Sequence, residues 1–255
     1  MKELLRTEKI SRHFGGVNAL NEVDITIYKD EILGIIGPNG GGKTTLFNVL
    51  TGYYPPTQGK IHFNGADITG RQVHEIAQKG IRRTCQNIRL FEQMTVLQNM
   101  LVGMHTQLRP IFSQILFRKK DKIPEEIRGN EEAVSVLDTF ALLSDADMIA
   151  GNLPYGKKRR LEIARAFISK PSLILLDEPS AGMNPSETIE MMKFIKNIRE
   201  KGPTVVVIEH NMKLIMGISD RVAVFNFGKK IAEGTPSEVQ ANNEVIEAYL
   251  GKDDE

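Results

Sequence analysis

Cysteine occurs once in this 255-residue chain, at Cys85, so no internal disulfide can staple the fold and a reducing compartment is expected. Long hydrophobic runs are missing too. The most apolar segments, Leu173 to Leu176 and Val205 to Ile208, are far too short to cross a bilayer and read as buried parallel strands. Charge of either sign is not in excess: 33 Lys and Arg face 32 Asp and Glu, leaving a net charge of +1. That balance gives neither the basic field of a nucleic-acid binder nor an acidic excess for a basic partner. Met1-Lys2-Glu3-Leu4-Leu5-Arg6 lacks the apolar stretch of a secretion signal, and no repeat or low-complexity segment stands out. What remains is a chain with 41% hydrophobic residues, enough for one large core or two modest ones. A cytoplasmic protein is expected, reaching any membrane through another chain.

Against that background, Gly37-Pro38-Asn39-Gly40-Gly41-Gly42-Lys43-Thr44 is a complete phosphate-binding loop. Glu31 to Ile36 reads as a buried strand and Thr45 to Leu50 as the start of a helix, so the glycines fall on a strand-to-helix turn. Glycine lets the backbone wrap a polyphosphate and aim N–H groups at its oxygens, and the positive end of the helix adds attraction. Lys43 would neutralise the β- and γ-phosphates, the Thr44 hydroxyl would ligate Mg²⁺, and Thr45 completes the nucleotide-binding candidates of this loop. A nucleoside triphosphate is the expected ligand.

Leu173-Ile174-Leu175-Leu176-Asp177-Glu178 is an apolar strand ending in two carboxylates, which places them at the carboxyl edge of a parallel sheet beside the phosphate loop. Asp177 would hold Mg²⁺ through water, leaving Glu178 free to polarise an attacking water. Such a pair alone also serves as a helix-entry cap; the loop at Lys43 gives it chemical meaning.

Composition divides the chain. Asp24 to Ile27 and Ile81 to Cys85 are strand-like, and Gly59 to Phe63 followed by Asn64-Gly65 predicts a hairpin. From about 88 to 150 the pattern is helical. Thr95 and Gln98 form a capping box, Ile111 to Phe117 is a short apolar segment, and Arg118 to Lys122 with Pro124 predicts a solvated connection. Asn130 is expected to cap a helix presenting Ala133, Val134, Leu137 and Phe140 on one face. Strand–helix alternation resumes at Ser172 and runs to Val222–Phe225. A last apolar face joins Val245, Ile246, Tyr249 and Leu250, followed by a frayed Lys252-Asp253-Asp254-Glu255 tail. The fold class expected is α/β: a P-loop NTPase core with a mostly parallel sheet, an antiparallel β subdomain and an inserted helical subdomain. Residues 1–87 and 151–235 would form the core with its antiparallel part, 88–150 the helical insertion and 236–255 a C-terminal helical extension.

The segment Asn152-Leu153-Pro154-Tyr155-Gly156-Lys157-Lys158-Arg159-Arg160-Leu161-Glu162-Ile163-Ala164-Arg165-Ala166 resembles the signature of ATP-binding-cassette ATPases. Four basic residues in the first turn of a helix oppose its dipole, an arrangement that suits a site receiving phosphate. The rest of the cassette pattern follows in order, and the resemblance covers essentially the whole chain. It implies that Phe14 stacks on adenine and that Gln86 contacts the metal and the attacking water. It implies further that His210 contacts the γ-phosphate and holds the water of Glu178 in line. Two cassettes would close head to tail, the Gly156 segment of one covering the ATP held by Lys43 of the other.

Pro154 and Tyr155 stand where the general signature has serine and glycine, and Asn184 replaces the usual aspartate of the cross-dimer loop. Asn184 would also act as an N-cap with Pro185 at the first helical position. The Leu-Pro-Tyr-Gly form, Gly182-Met183-Asn184-Pro185 and the ending Glu247-Ala248-Tyr249-Leu250-Gly251 are similar to the cassettes of branched-chain amino-acid importers. An ATP- and Mg²⁺-dependent ATPase subunit is implied, peripheral on the inner face of the cell membrane. Its implied partners are transmembrane permease subunits and a second cassette, identical or a sister chain, with no nucleic acid. A lipopolysaccharide-export cassette, a translation or DNA-repair cassette and a non-hydrolysing sensor are the alternatives. The last would lack Glu178 or His210.

Overall fold

The computed structural model describes residues 2–104 and 123–250, with side chains described from 128 in the second stretch and up to 249. The segments Ile111 to Phe117 and Arg118 to Lys122, and the Lys252–Glu255 tail, lie outside the described residues. The backbone forms two compact units, residues 1–83 with 172–255 and residues 84–171.

The first unit is built on the strands that the apolar runs outline. β4 (Ile32–Ile36), β8 (Leu173–Asp177) and β9 (Thr204–Ile208) are buried at every residue, as strands covered on both faces must be. They lie in a six-stranded sheet of order β11-β10-β4-β9-β8-β7, with β10 at Arg221–Asn226, β11 at Lys229–Gly234 and β7 at Ile81–Arg83. All neighbours are parallel except β11, which turns back on β10. β4, β9 and β8 are adjacent, so the three loops leaving their carboxyl ends are neighbours in space. The phosphate loop follows β4, Glu178 follows β8, and His210 follows β9.

A second, antiparallel sheet has the order β2-β1-β5-β6, with β3 (Thr26–Tyr28) also pairing β1. β1 (Glu3–Phe14) and β2 (Val17–Val23) are strands that the sequence pattern does not announce. β1 changes register between Glu8 and Ser11 and again around Arg12, with Lys9 at a positive φ of 45°. Each irregularity shifts the inward-facing positions, so the two-residue alternation is scrambled. Buried polar groups stitch the irregular stretch. Thr7 Oγ1 donates to the Val23 carbonyl and accepts from Ile25 N–H, both at 2.9 Å. The expected hairpin is present: β5 (Gln58–Phe63) and β6 (Ala66–Asp67) join through Asn64 and Gly65, both at positive φ. Asn184 caps the helix Pro185–Glu200 as predicted, its Oδ1 accepting from Ser186 and Glu187 N–H.

The second unit is helical in its described residues. α3 (Val96–Gly103) starts at the Thr95–Gln98 capping box and packs against α4 (Ile123–Thr139) and α5 (Tyr155–Phe167). A Cβ on Gly103 would stand 2.6 Å from the Arg165 carbonyl oxygen, so glycine sets how closely α3 and α5 approach. Asn130 is not the cap of α4: the helix begins seven residues earlier, with Pro124 in its first turn, where a missing N–H is harmless. Ala133, Leu137 and Phe140 are buried, whereas Val134 is 38% exposed and falls outside that face. The helical unit is wider than the 88–150 outlined by composition, because α5 packs against α3.

Candidate nucleotide site

The phosphate loop is shaped by contacts that exclude side chains. Gly37 has φ of 148°, and a Cβ there would collide with the Phe225 carbonyl oxygen. Gly42, at φ 101°, forms the N-cap of α1 (Lys43–Leu50) without a side-chain cap, leaving N–H groups of the first turn for an anion. The β10–β11 turn braces the loop, Gly228 N–H donating to the Gly41 carbonyl at 3.0 Å. Pro38 is half-buried, while Asn39 and Gly40 are exposed, as is Thr44; Thr45 is half-buried. Lys43 is only 5% exposed, and its ammonium donates to the carbonyls of Gly37 (2.7 Å) and Pro38 (2.9 Å). Burial pushes the Lys43 pKa down, and the carboxylates of Glu178 and Asp177 pull it back up. A cation that is partly desolvated and held by two backbone carbonyls is poised to exchange them for phosphate oxygens.

Asp177 ends β8 and is 2% exposed. Its Oδ2 accepts from Arg83 at 2.7 Å, and Arg83 also donates to Asn48 Oδ1 at 2.6 Å. Glu178 adopts φ of 47°, a left-handed conformation that a non-glycine residue enters at a cost of order 1 kcal/mol or more. Its N–H is tied to the Ile208 carbonyl at 2.9 Å, and its Oε1 lies 3.0 Å from His210 Nε2. The structure therefore brings Glu178 and His210 into direct contact.

A residue the sequence reading passed over links their two loops. Glu209 is 3% exposed and accepts from Ser180 N–H (2.7 Å) and Ser180 Oγ (2.6 Å) through one oxygen. The other oxygen accepts from His210 N–H (3.1 Å) and Asn211 N–H (3.4 Å). The available signal was its place: a carboxylate directly after the buried strand β9, next to His210. Arg83, on the short strand β7, gave no such signal.

Phe14, at the end of β1, is 38% exposed and not a core residue. It meets Tyr54 edge-on at 5.2 Å, and the Arg12 guanidinium lies 4.6 Å from its ring centre. An accessible ring fixed in this way can serve as a stacking platform.

In the helical unit, Gln86 is exposed on a stretch without regular structure. Gly156 is half-buried in the first turn of α5, whose N-cap is Pro154, with no side-chain cap bond. Lys157 and Arg159, among the basic residues there, have acidic partners inside the unit. Lys157 pairs with Asp145 at 2.7 Å, and Arg159 is fully buried against Glu162 at 2.9 Å.

No group of three or more His, Cys, Asp or Glu among the described residues could cage a metal. Asp177 and the Thr44 hydroxyl still fit Mg²⁺ of the kind that keeps water and substrate phosphate as most of its ligands. No helix among the described residues is long and apolar enough to cross a membrane.

Comparison with known proteins agrees with this geometry. Residues 20–181 match the family model described as ABC transporter, and residues 229–255 match the branched-chain amino acid ATP-binding cassette transporter model. The chain is 45% identical over 255 residues to the high-affinity branched-chain amino acid transport ATP-binding protein LivG of Escherichia coli, covering 98% of each. It is 43% identical over 252 residues to the corresponding protein BraF of Pseudomonas aeruginosa, covering 98% of this chain and 99% of that one. Among solved structures, a nucleotide-free ATP-binding cassette from an ABC transporter superposes with a TM-score of 0.85 at 34% identity, covering 98% of this chain and 100% of that one. With the phosphate loop, the Asp177–Glu178 edge and His210 assembled on this sheet, the chain belongs to the ATP-binding-cassette family of ABC transporter ATPases.

Proposed function

We propose that this chain is the ATP-hydrolysing subunit of an importer for branched-chain amino acids, working with separate membrane-spanning subunits and a second cassette. The contact between Glu178 and His210 at the sheet edge carries the catalytic part of this reading, with the Glu178 carboxylate also acting electrostatically on Lys43. The names of the full-length relatives and the match over residues 229–255 support the substrate class.

In this reading Phe14 takes the base, while Lys43, Thr45 and the backbone of residues 37–44 hold the phosphates. Glu178 accepts the proton of the attacking water, and His210 orients Glu178 and the γ-phosphate. Thr44, Asp177 and Gln86 are the proposed contacts for Mg²⁺, which when bound supplies charge neutralisation to the phosphates. The uncapped first turn of α5 at Gly156 faces the nucleotide of the partner cassette. Phe91 and Met94, 47% and 37% exposed, offer an apolar dock for a helix of the membrane subunit. A homodimer and a pairing with a sister cassette fit this arrangement equally.

Glu178→Gln tests the chemistry, because the amide keeps the shape but cannot take a proton. Turnover should fall by roughly 10²–10⁴-fold, with ATP binding kept and an ATP-stabilised dimer accumulating on size exclusion. Near-normal hydrolysis would remove Glu178 from the mechanism. Mixing Lys43→Ala with Gly156→Asp tests the composite site. Each inactive homodimer has two broken sites, whereas the mixed dimer has one intact site and should regain ATP-dependent association.

A further inference from the structure

Residues 84–90 contain Gln86 yet follow no helix or strand, so their backbone groups need other partners. α5 supplies them from one face. Arg159, with 0% exposure, donates through one terminal nitrogen to the Cys85 carbonyl (2.7 Å) and to Glu162 Oε2 (2.9 Å). Through the other it donates to the Gln86 carbonyl (2.7 Å) and reaches the Tyr155 hydroxyl at 3.5 Å. Glu162, 4% exposed, returns the contact: its Oε1 accepts from Cys85 N–H (3.4 Å) and Arg89 N–H (3.2 Å). Arg165, two turns along the helix, donates to the Arg89 carbonyl and lies over the Phe91 ring.

A buried ion pair is seldom retained for stability, since an apolar pair of similar volume often does as well. A guanidinium is chosen where several acceptors must be met in a fixed plane. Here that plane holds two successive carbonyls, one of them belonging to Gln86. The same side chain stands one helical turn from Tyr155 and Gly156, at the end of α5 proposed to face the partner nucleotide. We propose that the Arg159–Glu162 pair is a positioning latch. It fixes the backbone of Gln86 to the signature helix, so that displacement of α5 by the partner nucleotide is transmitted to Gln86. The latch rests on the role given to Gln86 above and adds to it the residues that set its position.

The test uses the full chain and four variants: Gln86→Ala, Arg159→Lys, Arg159→Lys with Gln86→Ala, and Arg159→Met with Glu162→Met. Lysine keeps the charge opposite Glu162 but cannot span both carbonyls, and the double Met variant replaces the ion pair by apolar volume. Hydrolysis is measured against ATP and Mg²⁺ concentration, with thermal unfolding and amide exchange of residues 84–90 alongside. Arg159→Lys and the double Met variant should keep KM for ATP within about twofold, lower kcat by about tenfold or more and raise the Mg²⁺ needed for half-maximal rate, as Gln86→Ala does. Amide exchange of 84–90 should quicken. Adding Gln86→Ala to Arg159→Lys should cost little more, because both act through one group.

Normal kcat and Mg²⁺ dependence in both latch variants, with Gln86→Ala impaired, would overturn the latch and leave the role of Gln86 standing. Additive losses would do the same. Normal behaviour of Gln86→Ala would overturn the role of Gln86, and the latch with it. A latch that only stabilised the fold would lower the unfolding temperature without moving the Mg²⁺ dependence.

Discussion

The two units hold their functional segments by different physics. In the nucleotide core, the phosphate loop, Glu178 and His210 leave the ends of three adjacent strands that are buried throughout, so sheet register places them. In the helical unit, residues 84–91 have no such support. Side chains reaching from helices fix their backbone instead: Arg159 and Glu162 at Cys85, Gln86 and Arg89, and Asn99 at Phe91. Placement by strands gives a rigid chemical site. Placement by a few side chains gives a segment that can be shifted as one piece when its helix moves, which suits a region proposed to dock a membrane subunit.

The sharpest way to break the comparison is to remove the side-chain brace that joins the Glu178 and His210 loops of the core. Glu209→Ala deprives Ser180, His210 and Asn211 of a buried acceptor, and leaving such donors unsatisfied should cost about 2–4 kcal/mol. In a domain of this size the unfolding temperature should fall by roughly 5–15 °C. Because the brace joins the Glu178 loop to the His210 loop, kcat should drop at least about tenfold in the folded protein. Glu209→Gln, which keeps an oxygen for Ser180, should recover much of the stability. A stable, fully active Glu209→Ala would mean that strand register alone suffices.

The counterpart in the helical unit is Asn99, fully buried in α3. It accepts from Phe91 N–H and donates to the carbonyls of Phe91 and Thr95, all at 3.0 Å. Asn99→Leu keeps the volume but strands those groups, at about 2 kcal/mol. Calorimetry should show the helical unit weakened, while ATP affinity at Lys43 stays unchanged and assembly with the membrane subunits suffers. A loss of kcat in the folded protein equal to that of Glu209→Ala would erase the distinction between the units.

Legibility followed the same divide. The buried strands, the glycine turn and the carboxylates at a strand end were readable because each is a local pattern with one physical cause. The Thr95–Gln98 and Asn184–Pro185 caps were readable for the same reason. Arg159, Glu162 and Glu209 were not, since a side chain that satisfies backbone dozens of residues away leaves no local periodicity, and Asn99 reaches an irregular stretch eight residues back that has no period to reveal it. The bulged β1 was missed because its register shifts scramble the alternation that marks a strand. Asn130 misled for the converse reason: a good capping residue also tolerates a helix interior when its neighbours pack, and Ala133, Leu137 and Phe140 do.

Phe14 sits at the end of that missed strand and probes how the antiparallel sheet serves the site. Its ring touches Arg12 and Tyr54 but little core, so Phe14→Ala should shift the unfolding temperature only slightly. If the ring carries adenine, ATP affinity should weaken by roughly 1–3 kcal/mol, the scale of base–aromatic stacking. Equal losses for ATP and for inorganic triphosphate would argue against stacking, because the latter has no base.

The smallest expected effect concerns Lys43, the point where the core meets its ligand. Burial lowers its pKa from the ordinary 10.5, so in the free chain it binds its proton less tightly than when unfolded. The unfolded state therefore carries more protons, and this residue's contribution to stability rises with pH up to about 10.5. Binding a triphosphate works in the opposite direction. If Lys43 holds the phosphates as proposed, their oxygens should replace the Gly37 and Pro38 carbonyls, favour the ammonium and raise its pKa, so binding should take up a fraction of a proton. Above about pH 8, where the phosphates are fully ionised, ATP affinity should therefore fall with rising pH. The slope is bounded by one proton, or about 1.4 kcal/mol per pH unit, and should be well below that until the pH nears the pKa of Lys43. Isothermal calorimetry in buffers of different ionisation enthalpy measures the proton uptake itself. Lys43→Arg should abolish it, since the guanidinium stays charged throughout. Proton release on binding, or the same uptake in Lys43→Arg, would mean that the ammonium is not exchanged onto phosphate and that another group titrates.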